Sequence, residues 1–448
     1  MSLYKITDEI INQKNCNPEE RIESIDDDTI NRLFKDFSER KRCYHLRPLL
    51  KMFMSQVLHK DTCRAVIARG VSRGWLPVTT CPKTSAYCNA RNRLPEKPIK
   101  NLMTIVGNLL EVKAHERWLF EDRPVKVVDG SSVQLPDTRS NQDEYPQPKP
   151  QKEGCGFPVM NISVLMGLES GAILDVETTA GTGYEHPLFR KLWRSLDAGD
   201  IVLGDALYGS YAEIAKLQEM GVDGVFRKGT RKFDLKQAEK IGKNEWLYCM
   251  KRPSRPGNWV SCNELPESIT VRVIRIEIKR KGYRSKNFLI YTTLLDKKLY
   301  PRETLSELYK RRWEIELRLR DIKTIMGLEM LRCKTPSRCR KELFVGLIVY
   351  NLIRSVMLEA VLQYKVRMSK ISFIGTMHRI CEFVWGVLAD DDPGLAYKVM
   401  MSHIAFDLIP DQPDRIEPRK LKRRPKGYGL LNRPRKMEQR LIKIGYTA

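Results

Sequence analysis

The hydrophobic pattern changes along the 448 residues of the chain, and each change predicts a different kind of structure. Residues 1–120 lack long alternating runs and contain segments with helical spacing of apolar residues, for example 30–37 and 102–120. From Val125 the pattern becomes short β-rich runs separated by glycine, namely VKVVDG, PVMNISVLMGLESG, AILDVETTAG and DIVLGDALYG. With helical stretches after the third and fourth runs, this order predicts a helical region followed by a mixed α/β sheet.

A further pattern occupies residues 229–298, where basic and β-branched residues alternate in SITVRVIRIEIKRKG and NFLIYTTLL. Turn motifs separate these segments, so we predict a small antiparallel β insertion. Helical spacing of apolar residues returns from Glu303 onward. The chain therefore divides into a helical part, a sheet, an insertion and a second helical part.

The charge of the chain narrows the class of partner. Lys and Arg number 79 against 55 Asp and Glu, which gives a formal net charge of +24. A surplus of this size lies on the surface and attracts polyanions, so nucleic acid is the leading partner. From Asp414 the chain carries 12 Lys or Arg against 3 acidic residues. We predict an extended basic tail here, in which Arg423 and Arg424 are candidate DNA contacts.

The sequence also argues against a membrane protein and against a zinc-binding protein. The longest apolar stretch, residues 343–353, is too short to span a bilayer and predicts a buried helix. The N-terminal residues lack a basic start followed by an apolar core, so we predict no secretory signal and a cytoplasmic, nucleoid-associated protein. The 11 cysteines show no C-x2-C spacing, which favours reduced thiols over a zinc site.

Two aspartates follow apolar runs that predict buried strands. Asp129 comes after residues 125–128, and Asp205 comes after residues 201–204. Carboxylates at the ends of neighbouring strands converge at one edge of a sheet, where they can share a cation. Ordinary turn chemistry accounts equally well for either aspartate alone.

A third acidic residue lies on a helix predicted over residues 309–323. Tyr309, Arg312, Glu316 and Lys323 share one narrow stripe at about 100° per residue. The adjacent stripe is apolar and comprises Leu308, Ile315, Leu319, Ile322 and Met326. The polar stripe therefore borders a packed interface, although a solvated charged face has the same spacing. Glu314 falls on the opposite side, so the helical geometry selects Glu316.

In this order of residues the chain resembles the DDE transposases of bacterial insertion sequences, the group numbered four, whose signature is Y-x2-R-x3-E-x6-K. The resemblance covers about residues 120–360 and is carried by VVDGSSVQL, IVLGDALYGS and LYKRRWEIELRLRDIK. One departure is visible, because Ala206 and Leu207 stand where such proteins often have Arg and Gly before the tyrosine.

The resemblance implies a ribonuclease H-like α/β catalytic core interrupted by an antiparallel β insert. It implies four regions, which are a helical DNA-binding domain at 1–120, the core at 121–228 and 299–365, the β insertion at 229–298, and a helical C-terminal region with a basic tail at 366–448.

The resemblance also implies metal-dependent, cut-and-paste transposition. Asp129, Asp205 and Glu316 would bind two Mg²⁺ ions, with Mn²⁺ as a substitute, and cleave and join phosphodiesters. The expected partners are double-stranded DNA, as the terminal inverted repeats of the element and the target DNA, and a second copy of the chain in a homodimeric DNA complex. No membrane partner is expected.

Other residues have expected roles in holding the DNA end. Tyr309, Arg312 and Lys323 would hold its phosphates. Trp246 and Trp259, in the insertion, are candidates for stacking on a flipped base, although a packing role is favoured for each. Two alternatives remain open at this point: a structure-specific nuclease, and an inactive relative that only binds DNA.

Overall fold

The computed structural model describes residues 18, 20–37, 44–181, 185–229, 238–277, 287–389, 393–410 and 433–444. In these ranges the chain is a mixed α/β structure with one nine-stranded sheet flanked by helices. The candidate DNA contacts Arg423 and Arg424, with most of the predicted basic tail, lie outside the described residues.

The described part of the N-terminal region is helical, as predicted. Its helices are α1 (Asp27–Leu33), α2 (Leu46–Leu58), α3 (Cys63–Ser72), α4 (Thr84–Arg93) and α5 (Glu96–His115). Side-chain caps fix two of the starts, because Asp26 accepts the N–H of Thr29 at 2.7 Å and Thr62 accepts that of Ala65 at 3.2 Å.

The sheet contains the strands β1 (Val125–Gln134), β2 (Val159–Gly167), β3 (Ile173–Thr179), β4 (Ile201–Gly204), β5 (Asp223–Arg227), β6 (Glu239–Gly242), β7 (Glu245–Lys251), β8 (Ser268–Glu277) and β9 (Asn287–Thr292). Their order is β3-β2-β1-β4-β5-β9-β8-β7-β6. β1, β4 and β5 are parallel to one another, and every other neighbouring pair is antiparallel. The predicted insertion therefore continues the sheet through β9, which pairs with β5.

Three helices accompany the first five strands: α6 (Arg139–Glu144), α7 (Glu185–Leu192) and α8 (Tyr211–Glu219). α8 connects the parallel strands β4 and β5, since parallel neighbours need a crossover of this kind. The remaining helices are α9 (Arg302–Arg311), α10 (Glu314–Arg320), α11 (Pro336–Tyr364), α12 (Phe373–Ala389), α13 (Pro393–Phe406) and α14 (Arg435–Lys443).

The continuous helix predicted over residues 309–323 is wrong. Between α9 and α10 the backbone tightens, because the N–H of Arg312 bonds to the carbonyl of Tyr309 three residues earlier. After α10 the chain widens into a π-helical turn, Asp321–Ile325. The apolar stripe is nevertheless buried as predicted, with Leu308, Ile315, Leu319, Ile322 and Met326 all in the core.

Helix α11 is the apolar helix that the sequence predicts to be buried. Among the described residues it is the one helix long and apolar enough to cross a membrane. In its most apolar stretch, 83% of the residues are buried inside the protein. A core helix of a folded domain accounts for this pattern.

Helices α5 and α11 meet β3 at a single crossing point. The amide of Asn351 accepts the N–H of Ile173 at 2.8 Å and donates to the Ile173 carbonyl at 2.9 Å. A Cβ on Gly107 of α5 would lie 2.1 Å from that carbonyl oxygen. Glycine is therefore required here for the close approach of helix and strand.

The nine described cysteines are all free thiols. This agrees with the prediction of reduced cysteines.

Replacing Gly107 with alanine should lower the midpoint of thermal unfolding. Alanine is the better helix former by about 1 kcal/mol, but its methyl group would overlap a backbone atom that cannot rotate away, at a cost of about 1–3 kcal/mol or more. Val112→Ala, at an exposed site of the same helix, is the matched control. Equal midpoints for Gly107→Ala and wild type would contradict the packing described here.

Candidate active site

Asp129 and Asp205 lie on neighbouring parallel strands. The last paired positions of β1 and β4 are Val127 and Leu203, and each aspartate follows its strand's last pair by two residues. The prediction that Asp129 ends its strand is wrong, because β1 continues to Gln134 by pairing with β2. What ends at this point is the pairing with the shorter β4, so the two strands separate where the carboxylates stand.

The carboxylates of Asp129, Asp205 and Glu316 lie near enough to one another for the charges of Asp205 and Glu316 to act on Asp129. The pKa of Asp129 is raised from 3.8 to about 6, chiefly by burial and in smaller part by the charges of Asp205 and Glu316. The N–H of Gly130, which donates to Asp129 at 2.9 Å, and the charge of Arg312 act in the opposite direction. The net rise is therefore due mainly to burial, with a smaller contribution from the neighbouring negative charges.

Glu316 comes to this place from α10, with 48% of its side chain exposed. Arg312 donates to its carboxylate at 3.4 Å. Glu314 is bound elsewhere, because Arg311 donates to it at 2.8 Å and to Glu169 at 2.7 Å. Of the two glutamates, Glu316 is the one near the aspartates, as the helical geometry predicts.

Tyr309 and Lys323 contact the two strands that carry the aspartates. The buried hydroxyl of Tyr309 donates at 3.3 Å to the carbonyl of Gly204, directly before Asp205, and burial raises the pKa of this tyrosine to about 12. Lys323 donates at 3.4 Å to the hydroxyl of Ser131 on β1. Both residues therefore lie where the sequence places them, beside the carboxylates.

Arg312 is buried, although it carries a permanent charge. Its Nε atom is buried and has no hydrogen-bond partner in the described part of the chain. An unsatisfied guanidinium nitrogen beside three carboxylates leaves a donor for an oxygen ligand.

The candidate stacking residues Trp246 and Trp259 both pack against the core, the role favoured for each from the sequence. Trp246, on β7, is partly buried beneath Arg275, whose guanidinium carbon lies 5.5 Å from the ring centroid. Trp259 is also partly buried, with Arg190 at 4.4 Å over its ring. Trp313, which directly precedes α10, is 37% exposed.

Sequence reasoning missed two residues at this place, Glu185 and Tyr208. Burial and the charge of Asp205 raise the pKa of Glu185, the first residue of α7. Burial, followed by the charges of Asp129, Glu185 and Asp205, raises the pKa of Tyr208 far above its usual value. No spacing pattern indicated Glu185, because it joins the other carboxylates only through the packing of α7 on the sheet.

Asp175, on β3, also carries a buried carboxylate but is used in a different way. Its buried carboxylate accepts from Arg194 at 2.7 Å and from Ser195 at 3.0 Å, and Lys100 lies 3.5 Å away. This aspartate is neutralised by an ion-pair cluster on β3 and does not join the site.

The site contains the carboxylate oxygens that bind divalent cations, but these oxygens are not arranged closely enough to hold one. No three Asp, Glu, His or Cys side chains of the described residues lie close enough together to hold a metal ion. The oxygen donors are nevertheless those that Mg²⁺ and Mn²⁺ prefer, and the charges of Asp205 and Glu316 act against ionisation of Asp129. A cation would relieve this repulsion.

Carboxylates gathered at the end of parallel strands and bordered by arginine and lysine are typical of metal-dependent phosphoryl-transfer proteins. Residues 121–352, just over half of the chain, match the family described as Transposase DDE domain. The chain belongs to this family of transposases.

Two known proteins resemble the chain over longer stretches. The transposase InsG for insertion sequence element IS4 of Escherichia coli (strain K12) is 26% identical over 286 residues, which cover 61% of each protein. The chain thus spans about three fifths of that relative. In fold, the chain is similar to piggyBac transposase in a synaptic complex with hairpin DNA, with a TM-score of 0.40 and 10% identity over 88% of this chain and 84% of the other.

The raised pKa of Asp129 predicts a pH-dependent stability. In the folded protein Asp129 holds its proton up to about pH 6, whereas in the unfolded chain it ionises near pH 4, so its contribution to stability is lost as pH rises between these values. In a chelating buffer, Asp129→Asn should therefore stabilise the protein more at pH 7.5 than at pH 4, by about 2–3 kcal/mol.

Thermal unfolding of the variant and wild type at both pH values measures this difference. Asp143→Asn, at an exposed position of α6, is the control and should show no such difference. A stability difference for Asp129→Asn that is the same at both pH values would contradict the raised pKa of Asp129.

Proposed function

We propose that the protein is a DNA transposase that cleaves the ends of its insertion sequence and joins them to target DNA by a cut-and-paste route. The observation that carries this proposal is the approach of Asp129, Asp205 and Glu316 to one another beside Arg312. All four residues fall inside the matched transposase domain.

The strand order supports a ribonuclease H-like catalytic core. β1, β2 and β3 form an antiparallel meander, and β4 and β5 follow in parallel on the other side of β1. In this proposal 121–228 and 299–365 form the core, 229–298 the insertion, 1–120 the DNA-binding domain, and 366–448 the C-terminal region.

Asp129, Asp205 and Glu316 would hold two Mg²⁺ ions, or Mn²⁺ in their place. When bound, the ions would stabilise the entering and leaving oxygens of the phosphodiester. The chain's own contribution is position, because Tyr309 fixes the backbone at Gly204 and so the direction of the adjacent Asp205.

Arg312 and Lys323 supply positive charge for DNA phosphates. Arg312 is held in its buried place by packing, which orders its planar fork before DNA arrives. Lys323, at Ser131, can act as a point charge on the other side of Asp129.

An aromatic platform for an extruded base is part of the proposal. Each of the three tryptophan rings has an arginine over one face, but Trp313 is exposed whereas Trp246 and Trp259 are partly buried. Base stacking is worth about 1–3 kcal/mol per base. We extend the sequence-based assignment to Trp313 for this reason.

Double-stranded DNA is the proposed partner, as terminal inverted repeats and as target. The net charge of +24 supports this partner. Arg423 and Arg424 would add contacts from the tail, and a homodimer would hold the two ends of the element together in the bacterial nucleoid.

Replacing each acidic residue should remove the chemistry. Asp129→Asn, Asp205→Asn and Glu316→Gln should each lower cleavage of DNA carrying the element's own ends by about 100-fold or more, because they stabilise the transition state. Binding of the ends should remain. Gel analysis of Mg²⁺-dependent nicked and joined products measures this.

Glu314→Gln is the matched control and should retain cleavage, because Glu314 pairs with Arg311 away from the aspartates. The wild-type products also separate the alternatives: nicking without joining would favour a nuclease, and binding alone an inactive relative. Near wild-type cleavage by any of the three acidic-site variants would remove that residue from the proposed site.

Arg312→Lys tests the planar fork. Lysine keeps the charge but loses the bidentate geometry, so first-strand nicking should survive while later joined products fall by about tenfold or more. Lys310→Arg, at a half-buried position of α9 paired with Glu307, is a control of the opposite change. A full set of joined products at the wild-type rate would show that the fork is dispensable.

A further inference from the structure

Glu185 is a half-buried carboxylate that lies against β1 at Gly130. No Lys or Arg of the described residues forms an ion pair with Glu185, whereas nearby Glu213 is held by Arg190 at 2.9 Å and by His186 at 3.3 Å. Acidic groups that are not fully exposed are usually paired or bind a cation. The missing partner of Glu185 therefore calls for a ligand.

The backbone of β1 makes room for this carboxylate directly beside Asp129. A Cβ built on Gly130 would lie 3.1 Å from a carboxylate oxygen of Glu185 and 3.3 Å from its Cγ. Any larger residue at position 130 would push Glu185 away from the strand. The glycine that follows Asp129 thus permits a fourth acidic side chain to approach the other three.

A buried hydroxyl gives an independent sign of a ligand. Tyr208 is only 1% exposed, and its hydroxyl has no hydrogen-bond partner in the described chain. Ser163 lies near this hydroxyl and acts to lower the pKa of Tyr208. The Ser163 hydroxyl is also without a partner in the described chain, so the two hydroxyls are not in hydrogen-bonding geometry. Buried polar groups without partners are rare and point to a water or ion that completes them.

We propose that Glu185 is a fourth acidic residue of the divalent cation site formed by Asp129, Asp205 and Glu316, and that the Tyr208 hydroxyl binds a water of the cation's shell. The inference rests on the proposed function, since it enlarges the same site. Mg²⁺ keeps several of its waters when bound to protein carboxylates, so an outer hydroxyl has a ready partner.

The charge balance of the site supports this assignment. Asp129, Asp205, Glu185 and Glu316 carry four negative charges when ionised, against the positive charges of Arg312 and of Lys323, which donates to Ser131 of β1. Two divalent cations bring four positive charges. A fourth carboxylate thus strengthens cation binding, because it adds one negative charge to the site.

Binding of Mn²⁺ alone to the full-length, DNA-free protein tests the proposal. The electron paramagnetic resonance signal of free Mn²⁺ gives the dissociation constant directly, without a cleavage assay. Glu185→Gln should weaken Mn²⁺ binding by about tenfold or more, and Tyr208→Phe, which keeps the ring and removes only the hydroxyl, by a smaller factor of about three or more.

Glu303→Gln is the matched control, because Glu303 is also a glutamate in the first turn of a helix, α9, and loses the same helix-dipole interaction. Its affinity for Mn²⁺ should equal that of wild type. Thermal unfolding in chelating buffer identifies any variant that fails to fold. If Glu185→Gln fails to fold, the Mn²⁺ affinity of Tyr208→Phe tests the proposal.

Asp205→Asn separates failure of this inference from failure of the proposed site. Weakened binding by Asp205→Asn together with unchanged binding by Glu185→Gln would overturn the fourth carboxylate alone. Unchanged binding by Tyr208→Phe would overturn the role of the hydroxyl. Absence of Mn²⁺ binding by wild-type protein would overturn both the inference and the cation site on which it rests.

Discussion

Repulsion between carboxylates is the constraint around which the site is built. Asp129, Asp205 and Glu316 are held in one partly desolvated place, which raises the pKa of Asp129 to about 6. Such an arrangement destabilises the protein by itself and persists only when the surrounding fold fixes it. The parallel pairing of β1 with β4 and the buried Arg312 are the two features that hold the acidic groups together.

The support behind α10 is polar as well as apolar. Arg354 of α11 is fully buried, and it donates to the carbonyl of Ser170 at 2.9 Å. Burial raises the pKa of Asp321, and the charges of Arg318 and Arg354 oppose this rise in part. Asp321 begins the π-helical turn, a feature frequent at functional sites. Asp321, which directly follows α10, thus interacts electrostatically with Arg354 of α11.

The charge of the site and the packing of the whole sheet are therefore linked. α5 and α11 fix β3 through Gly107 and Asn351, β3 pairs with β2, and β2 pairs with β1 along its full length. Displacement of any of these layers would move Asp129 relative to Asp205. This connection links the close contact at Gly107 to the position of Asp129.

The sequence by itself determined the order of elements, the buried α11 and the residue types of the site, because these depend on local periodicity and on chemistry that few side chains provide. Asp129, Asp205, Glu316 and Arg312 could be named as candidates from apolar runs, helical spacing and the resemblance to a known family. Only the tertiary structure decided that β1 continues beyond Asp129, because that extension depends on pairing with β2. It alone brought Glu185 to Gly130, since two residues 55 positions apart meet through the packing of α7 on the sheet, which no local pattern encodes.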